Sequence, residues 1–263
     1  MHELAFIFAG FSVGLIVGLT GVGGGSLMTP LLIFFFGIKP HLAIGTDLLF
    51  AAFTKMGGSV ALARSRMIDW PIVFSMAAGS LPASLLTLYV LQRVGPANPQ
   101  VQQAMTMTLG VALLLTAVAT LYKVVAGKSA PRHVDAASLR AAAKPTNRLL
   151  PVLLGAVIGT LVTLTSVGAG AIGVLVLMLL YPMLPLPRIV AADIAHAVPL
   201  TLLAGFGHAG MGSVNWPLLA QLLAGSLPGI WLGSHLMART PERVIRSLLS
   251  VLLAYAGAKL IAL

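Results

Sequence analysis

Thr20-Gly-Val-Gly-Gly-Gly-Ser26 interrupts an otherwise apolar run, and Thr165-Ser-Val-Gly-Ala-Gly-Ala171 interrupts a second run in the same way. Working outward, Gly45-Thr-Asp47 is answered by Ala191-Ala-Asp193, Asp69-Trp-Pro71 by Asn215-Trp-Pro217, and Gly79-Ser-Leu-Pro82 by Gly225-Ser-Leu-Pro228. The last three pairs share one offset, since 193 − 47, 216 − 70 and 228 − 82 each give 146, and the glycine block sits at 168 − 23 = 145. Four separated blocks within one residue of a common spacing point to an internal duplication.

The solvent follows from composition. The chain is 58% hydrophobic and 8% charged, whereas a soluble domain carries roughly 25% charged residues. Most of it must therefore lie in lipid. Apolar segments are expected at about 4–19, 24–37, 41–63, 71–92 and 100–122, and again at about 149–165, 169–184, 189–212, 217–238 and 244–262. The first segment runs into its glycine turn with no basic leader and no small-residue cleavage site, and reads as retained structure. Each glycine block breaks a stretch of about 34 residues, too long for one span of about 20 and too short for two. Two short helices meeting at a non-helical turn fit better, either re-entrant or as tilted short spans. Irregular backbone at that depth is tolerated only where protein buries it or it lines a cavity.

The net charge of +10 is a topology signal rather than a nucleic-acid patch. Lys123, Lys128, Arg132, Arg140, Lys144 and Arg148 mark the long polar connection as cytoplasmic. Alternation then puts Arg64, Arg66, Arg188, Arg239, Arg243 and Arg246 inside as well, and Lys39, Arg93 and Lys259 outside, with both termini external. The turn before Trp70 carries two arginines, while its twin before Trp216 carries none and falls on the other face. The expected fold is an all-α integral membrane protein of two inverted-topology repeats. Each repeat has a glycine-broken pair of short helices plus three full transmembrane helices. The boundaries are 1–122, a basic cytoplasmic linker at 123–148, and 149–263.

A helix that restarts after a glycine turn presents free N–H groups with its positive dipole end behind them. Gly23, Gly24, Gly25 and Ser26, with Gly168, Ala169 and Gly170, are thus candidate anion-binding backbone. The competing reading is that the small residues only permit close helix crossing. A nucleotide-binding loop is excluded, because no Gly-Lys-Ser/Thr ending follows.

Gly45-Thr-Asp-Leu-Leu-Phe-Ala-Ala-Phe-Thr-Lys55, Ile68-Asp-Trp-Pro71, Ala78-Gly-Ser-Leu-Pro-Ala-Ser84, Leu164-Thr-Ser-Val-Gly-Ala-Gly-Ala171 and Asp193-Ile-Ala-His-Ala-Val-Pro-Leu-Thr201 resemble the TauE/SafE family of sulfite and organosulfonate exporters. The resemblance spans both repeats. It implies a carrier in the bacterial inner membrane for small sulfur-containing anions such as sulfite or sulfoacetate. One departure is visible, in that Ala191-Ala192 stand where Gly-Thr would match.

Asp47, Lys55, Asp193 and His196 fall well inside apolar segments, where a charge costs about 3 kcal/mol or more unless paired or hydrated. They should face the bundle interior. Lys55 is the natural electrostatic counterpart of an anion, with snorkelling to an interface as the alternative. Its repeat equivalent Thr201 can donate without charge, and Thr46 completes the candidate binding set. Asp193 and His196 share a helix face and, with Asp47, could relay protons or gate; equally, the aspartates could cap broken helix starts. Trp70 and Trp216 read as interfacial anchors, and Pro82 and Pro228 as kinks.

With no cysteine in the chain, no thiol chemistry is available. No metal, cofactor or nucleic acid is expected, and the expected partners are a small anion, protons and lipid. The alternatives are a cation carrier built on Asp47 and Asp193 and, more remotely, an aspartyl intramembrane protease.

Overall fold

A computed structural model describes residues 2–20, 25–64, 66–125, 149–236 and 242–262. Gly23, Gly24 and most of the basic linker lie outside the described residues.

The described residues form ten helices and no strand. They are α1 His2–Thr20, α2 Gly25–Phe36, α3 Pro40–Arg64, α4 Trp70–Val94, α5 Pro99–Val125, α6 Leu149–Thr165, α7 Ala171–Leu180, α8 Leu186–Gly210, α9 Trp216–Leu236 and α10 Glu242–Ile261. Prolines fall in the first turn of α3, α4, α5, α8 and α9, where the missing N–H is one that no helix could use and φ is already helical. Gly95 closes α4 at φ +89. The second apolar run breaks where its glycine block stands, leaving α7 at 10 residues, and α2 is 12 residues long from Gly25.

Among the described residues, three helices are long and apolar enough to cross a membrane, Trp70–Val94, Pro99–Tyr122 and Leu186–Gly210. The sequence expects six. At 25 residues α3 is equally long, but it carries Thr46, Asp47, Thr54 and Lys55, and a helix turned toward the bundle interior need not be apolar. Large apolar side chains such as Phe8, Phe74, Leu153, Leu179, Trp231 and Leu248 are exposed, while Thr29, Asp47, Lys55, Asp193, His196 and His208 are buried. That distribution suits lipid outside and polar contacts within, and the chain is a multi-pass membrane protein.

Four helix pairs build the bundle: α1 with α9, α4 with α6, α3 with α8 and α5 with α10. Glycine sets the first two crossings. A methyl group at Gly10 would sit 2.3 Å from the Leu222 carbonyl oxygen, and one at Gly14 2.4 Å from that of Ser226. In the other pair, Gly155 would meet the Met76 oxygen at 2.3 Å and Gly159 the Ser80 oxygen at 2.3 Å. These contacts map onto one another under the repeat offsets, and both pairs run parallel. The helices α3 and α8 are themselves repeat equivalents. Gly45 packs on His208 and Ser213 while Gly205 packs on Leu49, so these two run antiparallel. The core divides likewise: Met76, Ile158, Val174 and Leu200 centre one apolar cluster, while Val13, Met28, Leu49 and Leu222 centre the other.

At one end of the bundle, Arg188 at the start of α8 donates to Asp69 at 3.1 Å. The charge reading puts both residues on the cytoplasmic side. Trp70 and Trp216 open α4 and α9 half-exposed, as interfacial anchors would.

Candidate functional site

The polar residues of α3 and α8 meet where these helices cross, against the turn between α6 and α7. Gly168 and Gly170 adopt φ +129 and +133, values L side chains rarely reach, so glycine is required in this turn. Ser166 is held at φ +60, an uncommon setting for a residue with a side chain. Of the first N–H groups of α7, those of Gly173 and Val174 turn back to the carbonyls of Gly168 and Gly170 at 2.9 and 3.1 Å.

Lys55 reaches this turn across 114 residues of sequence. Its ammonium donates to the Ala169 carbonyl at 2.9 Å, and the side chain is only 6% exposed. It is not snorkelling. Side chains on a helix lean toward its N-terminus, which draws the ammonium back toward the level of Asp47, eight residues and about 12 Å earlier along the axis. Asp193 and Asp47 both exert a Coulombic pull on the ammonium.

Each aspartate sits against the start of a short helix. Thr29 of α2 donates its hydroxyl to Asp47 Oδ2. Asp193 Oδ1 lies so close to Gly173, in the first turn of α7, that a methyl group there would be 1.9 Å from it. The sequence reading offered the α7 N-terminus to substrate. The structure instead brings a resident carboxylate beside that turn, where the dipole favours it. Gly173→Ala is therefore expected to displace Asp193 and destabilise the protein by about 1–3 kcal/mol, seen as a lowered melting temperature in detergent. An unchanged melting temperature would mean that the carboxylate moves aside freely.

His196, one turn beyond Asp193, has Nε2 2.7 Å from Ser80 Oγ of α4 and lies in the Coulombic field of Lys55. The sequence reading took Gly79 to Pro82 as a kink and missed Ser80 as a polar contact. Thr29 and Ser166 were missed as well. Their signal was only that small hydroxyl residues stood within apolar stretches.

Two expected members use their hydroxyls on other partners. Thr46, nine residues earlier on α3, accepts from the Asn215 N–H at 3.0 Å and so ties α3 to the beginning of α9. Thr201 is buried, and its hydroxyl donates to the Ala197 carbonyl of its own helix at 2.8 Å. Gly25 and Ser26 open α2, with Ser26 buried. His208 is buried, with its Nε2 2.9 Å from the Thr163 carbonyl oxygen. Among the described residues, no cluster of three or more His, Cys, Asp or Glu could hold a metal ion.

The site departs from the repeat symmetry. Both halves supply an aspartate, but Lys55 corresponds to Thr201 and His196 to Phe50. One repeat contributes the cation and the other the imidazole.

Residues 6–260 match the family described as Sulfite exporter TauE/SafE. Among relatives, the probable membrane transporter protein YjnA of Bacillus subtilis (strain 168) is 36% identical over 260 residues, covering 98% of this chain and 100% of that protein. The probable membrane transporter protein YdhB of the same organism is 26% identical over 258 residues, covering 97% and 98%. No solved structure matches the chain. A family match over almost the whole length and a full-length relative at this identity agree with a membrane-embedded bundle carrying buried charge at its centre, and the chain belongs to the TauE/SafE sulfite exporter family of membrane transporters.

Proposed function

We propose that the protein is a secondary transporter of small sulfur-containing oxyanions, sulfite or an organosulfonate such as sulfoacetate. It exports them across the bacterial inner membrane by alternating access. The observation that carries this reading is Lys55, a lysine buried inside the bundle and anchored on the glycine turn of the opposite repeat. A cation costs several kcal/mol at that depth, and recognition of an anionic cargo gives it a use. The family described as sulfite exporters supports the substrate class.

The halves 1–122 and 149–263, joined by the basic linker 123–148, act as inverted repeats. The antiparallel crossing of the equivalent helices α3 and α8 supports this, because an axis in the membrane plane reverses a helix whereas one along the membrane normal does not. Asp47, Asp193 and His196 couple movement to protons. A cation carrier is disfavoured, because Lys55 already lies in the field of both carboxylates where a cargo cation would bind. The transporter family also stands against the protease alternative.

Titrating purified protein with sulfite, sulfate, sulfoacetate and taurine tests the substrate class. At least one sulfur anion is expected to bind, in competition with the others. In proteoliposomes, Asp193→Asn is expected to keep anion binding while losing uptake driven by a proton gradient. Binding of none of the four would sink the anion reading, and proton-driven transport at the parent rate in the variant would remove Asp193 from coupling.

A further inference from the structure

Resting on the oxyanion reading above, and concerning the same site, we infer that this transporter selects a monoanion that carries its own hydrogen-bond donor. The anion's oxygens lie on Lys55 and Ser166, and its hydroxyl donates to the carboxylate of Asp47.

The argument starts from what the buried groups still lack. Asp47 is fully buried. Its Oδ2 is taken by Thr29, but its Oδ1 has no hydrogen-bond partner among the described residues. Ser166 is 2% exposed, and its Oγ is also without a partner among the described residues. Its hydroxyl lies near enough to the Asp47 carboxylate to act on it as a weak donor, but no hydrogen bond of normal length and angle closes between them among the described residues. The Lys55 ammonium has three protons to donate, and among the described residues it makes one bond, to the Ala169 carbonyl. In one place there is thus a cation with donors to spare, a hydroxyl, and a carboxylate oxygen short of a donor. Buried polar atoms left in that condition are costly.

Charge narrows the ligand further. Lys55 lies in the field of two carboxylates, so a dianion would add to an excess of negative charge in the bundle interior. A monoanion adds less, and one bearing a hydroxyl presents oxygen acceptors to the ammonium and a proton to the carboxylate together. That is the complement of the Lys55–Asp47 arrangement. A plain alkylsulfonate satisfies the ammonium and leaves Asp47 Oδ1 without a donor.

Hydroxymethanesulfonate and ethanesulfonate test this directly. They are nearly isosteric monoanions, differing by a hydroxyl in place of a methyl group, and both are titrated into the purified full-length protein. The hydroxyl compound is expected to bind at least about tenfold tighter, the usual discrimination for a hydrogen bond to a charged group. In Asp47→Asn the amide oxygen stays on Thr29 and its NH2 turns toward the ligand, so the ratio is expected to fall to about one. Equal affinity in the parent protein would overturn the inference while leaving the oxyanion reading intact. Binding of neither compound, nor of any sulfur anion, would overturn both. A preference that survives in Asp47→Asn would refute the assignment to Asp47. Should that variant fail to fold, the parent ratio alone still decides whether the hydroxyl is selected.

Discussion

Lys55→Ala is expected to weaken oxyanion binding by about 10- to 100-fold, the 1.5–3 kcal/mol of a charge-assisted hydrogen bond. It should also lower stability, because the lysine lies in the field of both Asp47 and Asp193 and holds the Ala169 carbonyl. Removing one member of a buried charged set typically costs about 3–5 kcal/mol, since the remaining charges lose their compensation. Lys55→Arg separates the two effects. The guanidinium keeps the charge and much of the stability, but its planar fork cannot replace a compact ammonium on a single carbonyl, so binding should still fall. Isothermal titration for affinity and melting temperature for stability read the two independently. Should Lys55→Ala bind every sulfur anion as the parent does, the lysine is a structural strut and the anion site lies elsewhere.

Gly79→Ala and Gly225→Ala are expected to be the most damaging of the small substitutions on the helix crossings. A methyl group at Gly79 would sit 1.8 Å from the Val152 carbonyl oxygen, and one at Gly225 1.9 Å from that of Ile7. Both obstacles are backbone, so a whole helix must move. Each substitution should cost at least the upper end of the roughly 1–3 kcal/mol of ordinary overpacking. Because the two positions are repeat equivalents facing equivalent neighbours, their melting-temperature losses should match closely. Gly210→Ala is the control. Nothing lies within 4 Å of its added methyl and its φ is not positive, so it should be neutral. Unequal losses at Gly79 and Gly225 would show that the two crossings do not carry equivalent loads.

The helices were largely legible in advance because lipid imposes a local rule. An apolar run must be helical to satisfy its backbone, and its ends are written by Trp-Pro and glycine signals. The break before α7 could be read from its glycines alone, and the φ values at Gly168 and Gly170 supply the reason. Thr46 and Thr201 were less legible. Each repeats or neighbours a residue of the central cluster in sequence, yet one hydroxyl is used on Asn215 and the other on its own helix. A hydroxyl has several equally good outlets, and sequence does not say which one it takes. A buried lysine has few.

By itself the sequence determined that this is a lipid-embedded helical protein with charged groups inside its apolar segments, among them an aspartate at matched positions in two similar stretches. Composition, periodicity and offset are local properties, and they survive without knowledge of neighbours. Only the tertiary structure decided which of those groups meet. Lys55 finds Ala169 across 114 residues and Ser80 finds His196 across 116, pairs that no local pattern in the sequence announces. The packing of α8 on α7 likewise sets the Asp193 carboxylate beside the α7 N-terminus that the sequence reading had left open to substrate. Helix periodicity fixes the face on which a side chain stands, but the group opposite that face depends on how closely two distant helices can approach.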